Sequence, residues 1–288
     1  MTDARWNPSR APHGFGRALA VIVAALVVIA PAHAHDFWIS GERADKADAA
    51  PVIRMHLGHR LEAEEDRAYT AASTRSFRLL TSDGTRDLAA AARDGADPFH
   101  PLPAGTTTPA LVVLDRLPVN IALDHAKFAD YLREEHLTDM LDHHRERGGE
   151  GRERYTRHMK LLVTGDQPDE DKLYSRFTGQ ALEIVLLDPP INPGAGRELR
   201  AQVLFGGKPL AGRTLTILQA DDGDFESHAN ERTAKTDAKG IVRFAFETTG
   251  FWMLRMVHMH PCTDCPDAEN RSYWAAYAIQ NDWLPLKE

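Results

Sequence analysis

Residues 236–259 read TDAKGIVRFAFETTGFWMLRMVHM. Two turn signals, Thr236-Asp237-Ala238-Lys239-Gly240 and Gly250, each open onto a short run rich in branched and aromatic side chains, Ile241 to Phe246 and Phe251 to Met259. Glycine and aspartate tolerate the backbone angles of a tight turn, and side chains of that shape suit a pleated surface, so the stretch predicts strands joined by turns. The pattern continues outward. Leu199 to Phe205, a turn at Gly206-Gly207-Lys208-Pro209 and Arg213 to Gln219 lie upstream, and Tyr273 to Ile279 lies downstream. Further back, Leu182 to Leu186 precedes a Pro/Gly-rich break from Asp188 to Gly196. Spaced strands without intervening helices predict a β-sandwich over 173–288.

Residues 35–117 follow the same rule, with candidate strands at Phe37–Ile39, Val52–Leu57, Ser76–Leu80 and Ala110–Leu114, and they predict a second sandwich. Between the two, over 118–172, the period changes. Phe128, Tyr131, Leu132, Leu137, Met140, Leu141 and His144 fall at helical spacing, Asp124 suits a cap, and Gly148-Gly149 stops the run. A second helix is expected from Arg152 to Val163, presenting Tyr155, Met159, Leu162 and Val163. The expected fold is mainly β, two sandwich domains linked by a short helical segment. The order Gly-x-Pro-Leu-Ala-Gly, strand, Thr-Asp-x-x-Gly, strand, Gly-Phe-Trp, strand is similar to seven-stranded sandwiches of the transthyretin or carboxypeptidase-regulatory type.

The 288 residues are 43% hydrophobic and 26% charged, which excludes collagen-like and wholly disordered chains. A net charge of −8 argues against a nucleic-acid surface, and no nucleic-acid partner is expected. Arg5, Arg10 and Arg17 precede the apolar run Ala18 to Ala30 and the small-residue pattern Ala32-His33-Ala34. That is the grammar of a signal peptide over residues 1–34, cleaved after Ala34, and the run is shorter than the roughly 20 residues that span a membrane. A periplasmic, exported protein beginning at His35 is expected. The two cysteines, Cys262 and Cys265, predict a local disulfide in that oxidising compartment.

All but two of the 14 histidines follow residue 34. A terminal His35 would offer one metal both its α-amine and its ring Nδ1, and nitrogen donors of that kind suit nickel, cobalt, copper or zinc. His258 and His260, two apart on a strand, leave the same face. His56 ends an apolar strand and is preferred over His59 as a further ligand. His136, His143 and His144 read as solvated helical side chains. No Gly-x-Ser-x-Gly elbow, phosphate loop or His-Glu-x-x-His is present, so no enzymatic activity is expected.

Several stretches together resemble a known family. They are His35-Asp36-Phe37-Trp38, Tyr131-Leu132-Arg133-Glu134-Glu135, Gly151-Arg152-Glu153-Arg154-Tyr155 continuing to Lys160, and Asp188-Pro189. The others are Gly207-Lys208-Pro209-Leu210, Gly250-Phe251-Trp252 running to His258-Met259, and Tyr273-Trp274. The chain resembles the bacterial periplasmic domain-of-unknown-function family associated with nickel and cobalt uptake (NikM-like). The resemblance implies an accessory protein for transition-metal handling, partnered by a membrane metal transporter, and it supports His35 and His258 most. The expected site is a divalent metal ion on His35, His258, His56 and His260. The alternative is a structural or ligand-presenting sandwich module that carries no metal.

Overall fold

Residues 110–114, Ala-Leu-Val-Val-Leu, are all buried, which a strand achieves only when both of its faces are covered. The fold is built on that condition: a central sheet lies between two others. The computed structural model describes residues 35–286 apart from 47, 48, 97, 167, 192, 193, 195 and 222, so the expected signal peptide, residues 1–34, lies outside the described residues.

The first strands are β1 (Asp36–Arg43), β2 (Val52–His59), β3 (Glu62–Asp66), β4 (Thr74–Thr81), β5 (Gly84–Asp87), β6 (His100–Pro101), β7 (Ala110–Arg116) and β8 (Val119–Leu123). Helices α1 (His125–Glu134) and α2 (Thr138–Arg147) lead into β9 (Gly151–Val163). Then come β10 (Leu182–Leu186), β11 (Glu198–Phe205), β12 (Lys208–Pro209), β13 (Thr214–Ala220) and β14 (Asn230–Lys235). The chain closes with β15 (Ile241–Ala245), β16 (Phe251–Pro261), β17 (Asn270–Gln280) and β18 (Leu284–Pro285).

The central sheet runs β14-β13-β16-β17-β9-β7-β4-β5, with β8 also on β9. One outer sheet runs β18-β1-β2-β3 with β6 on β2, and the other β10-β11-β12 with β15 on β11. Along β16 the side chains alternate: Phe251 and Met253 enter one core with Trp38, Ile53 and Met55 of the first outer sheet. Trp252, Leu254 and Met256 enter a second core with Ile184, Leu199 and Val203 of the other. Farther along, Val257 and Met259 meet Phe128, Leu132 and Met140 of the helices. Each fully buried side chain of this size contributes about 1.5–3 kcal/mol, so two apolar faces per strand make the central sheet the anchor of the molecule.

The mainly β, sandwich-type architecture is as expected, and the seven strands β10, β11 and β13–β17 divide between two facing sheets. Its plan is different, however. Strands from 35–117, from 118–172 and from 173–288 are hydrogen-bonded into one sheet, so the two sandwich cores stack back to back on a shared layer instead of following one another along the chain. The helix expected over Arg152 to Val163 is β9 instead, paired in parallel with β17 from Glu153↔Asn270 to Val163↔Gln280. A strand covered on both faces loses its alternation, and the spacing of Tyr155, Met159, Leu162 and Val163 then imitates a helix. The first helix has the Asp124 cap, whose side chain accepts from the Lys127 backbone N–H, but His136 takes a left-handed conformation (φ 57°) and breaks it in two.

Candidate functional site

In β9 the residues Glu153, Tyr155 and Arg157 lie two apart and share one face. Trp274 of β17 stands beside Arg157 of β9 in register. The end of α1 comes down on this face because Gly151 leaves room: a Cβ there would lie 2.1 Å from the Phe128 ring. The start of β1 covers the other side. With Arg255 of β16, polar side chains from five separate stretches meet inside the protein.

Arg255 of β16 holds two carboxylates. Its Nε lies 3.1 Å from Asp36 Oδ1 and its Nη1 donates to Glu135 Oε2 at 2.6 Å. All three side chains are buried. Burial lifts the Glu135 carboxyl to about 7 against the pull of Arg255. The Glu153 carboxylate, fully buried, accepts from the Tyr131 hydroxyl at 3.1 Å and from the Ser272 hydroxyl. Burial raises it to about 7 as well, with those hydroxyls pulling the other way.

Arg157 is different in kind. Its guanidinium sits 4.2 Å from the centre of the Phe37 ring, 4.4 Å from Trp274 and 5.1 Å from Tyr155. Its Nη2 donates to the His35 carbonyl at 2.9 Å. Beyond it opens a cleft of about 270 Å³, whose walls include Leu57, Ile121 and Leu123.

The four expected metal ligands do not converge. His35 belongs to the first outer layer, where its Nε2 meets Glu64 Oε2 of β3 at 3.0 Å. His56 is buried with both ring nitrogens in use, Nδ1 on Asp66 Oδ1 at 2.7 Å and Nε2 on the Ser40 hydroxyl at 2.8 Å. Neither nitrogen is left for an ion. His258 and His260 project from the opposite face of the central sheet, against Phe205 of β11 at 4.5 and 6.1 Å between ring centres. The central sheet thus separates them from His35, and a metal–nitrogen bond near 2 Å cannot bridge it.

Within that second pair the rings are 6.1 Å apart. His260 Nδ1 lies 2.9 Å from the Pro261 carbonyl, while His258 Nδ1 is buried without a hydrogen-bond partner. Burial, with Arg213 and His260 nearby, pushes His258 down to about 4 and keeps the ring neutral. Cys262 and Cys265 are joined in a disulfide. Asp264 lies with them, but bonded sulfurs offer no thiolate. His136 and His143 are exposed, whereas His144 is buried, stacked on His125.

Sequence reasoning passed over Arg157, Arg255 and Glu153 as binding groups. The signal was present, because Asp36, Phe37, Tyr131, Glu135, Glu153, Tyr155 and Trp274 all belong to the motif stretches that carry the family resemblance. Reading β9 as a helix hid that they meet. His158, in the same strand, is buried, with its Nδ1 2.8 Å from Asp115 Oδ1.

Fold and site define a mainly β sandwich protein with a polar interior where β1, α1, β9, β16 and β17 meet. The chain belongs to the family described as Domain of unknown function (DUF4198), whose model matches residues 32–260. No curated protein matches the chain. Among solved structures, dimeric latent PorU from Porphyromonas gingivalis is similar at 11% identity and a TM-score of 0.20, over 85% of this chain and 20% of that one. The chain thus spans about a fifth of that protein's length. No helix among the described residues is long and apolar enough to cross a membrane.

Proposed function

We propose that this is a periplasmic, non-enzymatic accessory protein that binds a divalent transition metal and presents it to a membrane metal transporter. Nickel or cobalt is the first choice, with copper or zinc open to the same donors. The site reduces to His35. One observation carries the reading: the His35 Nε2 is engaged by Glu64, which sets the proton on that nitrogen and leaves Nδ1 as the lone-pair donor. A carboxylate on the far ring nitrogen is the usual outer support of a metal-bound histidine. Arg157 fixes the His35 carbonyl, so the residue is held where, after removal of 1–34, its α-amine and Nδ1 could close one chelate ring. The metal would supply affinity for a transporter or ligand. The chain's own task is to orient the ring.

The test is a nickel titration of the chain beginning at His35, compared with the same chain extended by one residue. Near-stoichiometric binding that weakens strongly on extension is expected, since the amine is then an amide. Equal binding by both forms overturns the terminal site. A second reading, a ligand-presenting module without metal, is favoured by the dispersal of His35, His56 and the His258/His260 pair over separate places. Absence of binding in both forms would select it.

A further inference from the structure

A guanidinium inside a protein is costly unless an anion or an equivalent array of acceptors compensates it. Arg255, its neighbour in the same interior, has two carboxylates within 3.1 Å. Arg157 has none: among the described residues no carboxylate oxygen comes within ion-pair distance of it, and its one hydrogen bond goes to a neutral carbonyl. Its Nε is shielded from solvent and unpartnered. Burial holds this arginine below its ordinary value. Of the nearby negative groups, Asp36 is held by Arg255 and the Arg60 backbone N–H, and Glu153 accepts from Tyr131 and Ser272 through Oε1 while its Oε2 has no hydrogen-bond partner; both act on Arg157 only from beyond ion-pair distance.

The surroundings of that charge have a definite chemistry. Phe37, Tyr155 and Trp274 surround the guanidinium with aromatic rings, whose negative faces attract the cation. The cleft in front is flanked by Leu57, Ile121 and Leu123; Arg67, paired with Glu65 at 3.0 Å, and the carboxyl of Glu153 also line it. Arg157 therefore meets the apolar walls of this cleft without an ion-pair partner of its own, on a protein of net charge −8. The cleft's volume of about 270 Å³ is at the lower end of small-molecule sites.

We propose that this cleft binds a small organic monocarboxylate with a flat or branched apolar body, the carboxylate meeting Arg157 and the body lying between the aromatic and aliphatic walls. A planar carboxylate matches the fork of a guanidinium and neutralises it in a setting of low dielectric. Inorganic phosphate has no apolar body to lie against Leu57, Ile121 and Leu123. The proposal is independent of the metal reading, because it uses the His35 backbone and neither its ring nor its amine.

Calorimetric titration of the chain from His35 onward, kept metal-free with chelator, tests it with phenylacetate and isovalerate as probes and phenylacetamide as the uncharged match. Saturable binding of at least one acid is expected, with the amide about tenfold to a hundredfold weaker, the loss of one charge-assisted contact. Arg157→Gln should abolish binding. Because that variant alters the interior, Ile121→Trp is the second probe: it fills the cleft from β8, leaves Arg157 in place, and should also abolish binding while the thermal transition is kept. Failure of both acids to bind at millimolar concentration, equal binding of acid and amide, or unchanged binding in Ile121→Trp would each overturn the proposal.

Discussion

The buried Glu153 carboxyl makes a statement about stability as well as chemistry. Its value rises from the ordinary 4.5 to about 7 on folding, so between those pH values the native state holds more proton than the unfolded chain. Stability contributed by the neutral form is complete below 4.5 and is lost as pH rises through 7. Glu153→Gln keeps an acceptor for Tyr131 and Ser272 without the charge. Urea unfolding should find the variant more stable than the parent at pH 8, by on the order of 2 kcal/mol, with the difference gone at pH 4. A gain of the same size at both pH values would contradict the burial argument. His258 works from the acid side. Pushed down to about 4 from the ordinary 6.5, it contributes stability present above 6.5 and lost as pH falls through 4.

At the scale of elements, the helices depend on one missing side chain. α1 rests on β9 through Phe128 over Gly151, where a Cβ would lie 2.1 Å from the ring. Gly151→Ala should cost about 1–3 kcal/mol, the usual penalty for overpacking. Combined with Phe128→Leu it should cost less than the sum of the two changes, because the smaller side chain leaves space for the methyl group. Denaturant midpoints of the four proteins measure this. The element scale is also where the sequence was most and least legible. β2, β4, β7, β11, β13 and β16 were readable because apolar runs stand between turn residues, and the Asp124 cap was readable from its position. β9 was not. Its pattern reports burial on two faces, and its pairing with β7 and β8 on one edge and with β17, more than a hundred residues away, on the other makes it a strand. The four candidate ligands do not converge for a related reason: same-face geometry was right for His258 and His260, but no spacing rule tells which face of which sheet a distant histidine shares. Arg157 lay unread inside the misread segment.

Across the whole molecule, the central and second outer sheets are tied by a buried ion pair. Lys160 of β9 donates to Glu183 Oε1 of β10 at 2.6 Å and to the Ile184 carbonyl at 3.1 Å. Glu183 in turn accepts from the backbone N–H groups of Thr178, Gly179 and Gln180. Lys160→Met removes one charge and leaves the other unpaired, which should cost about 3–5 kcal/mol. Adding Glu183→Gln should recover part of that loss, since the amide still accepts without a net charge; chemical unfolding of the single and double variants checks it. The parallel seam between β9 and β17 has a further consequence. Strands β1 to β8, the helices and β9 all leave the ribosome before the residues that will flank β9 from 270 onward. Until those last strands arrive, a long, apolar edge stands open at what will become the middle of the molecule. Such an edge pairs readily with copies of itself. Premature termination between β9 and β17 therefore yields a self-adhesive fragment, not a smaller working domain.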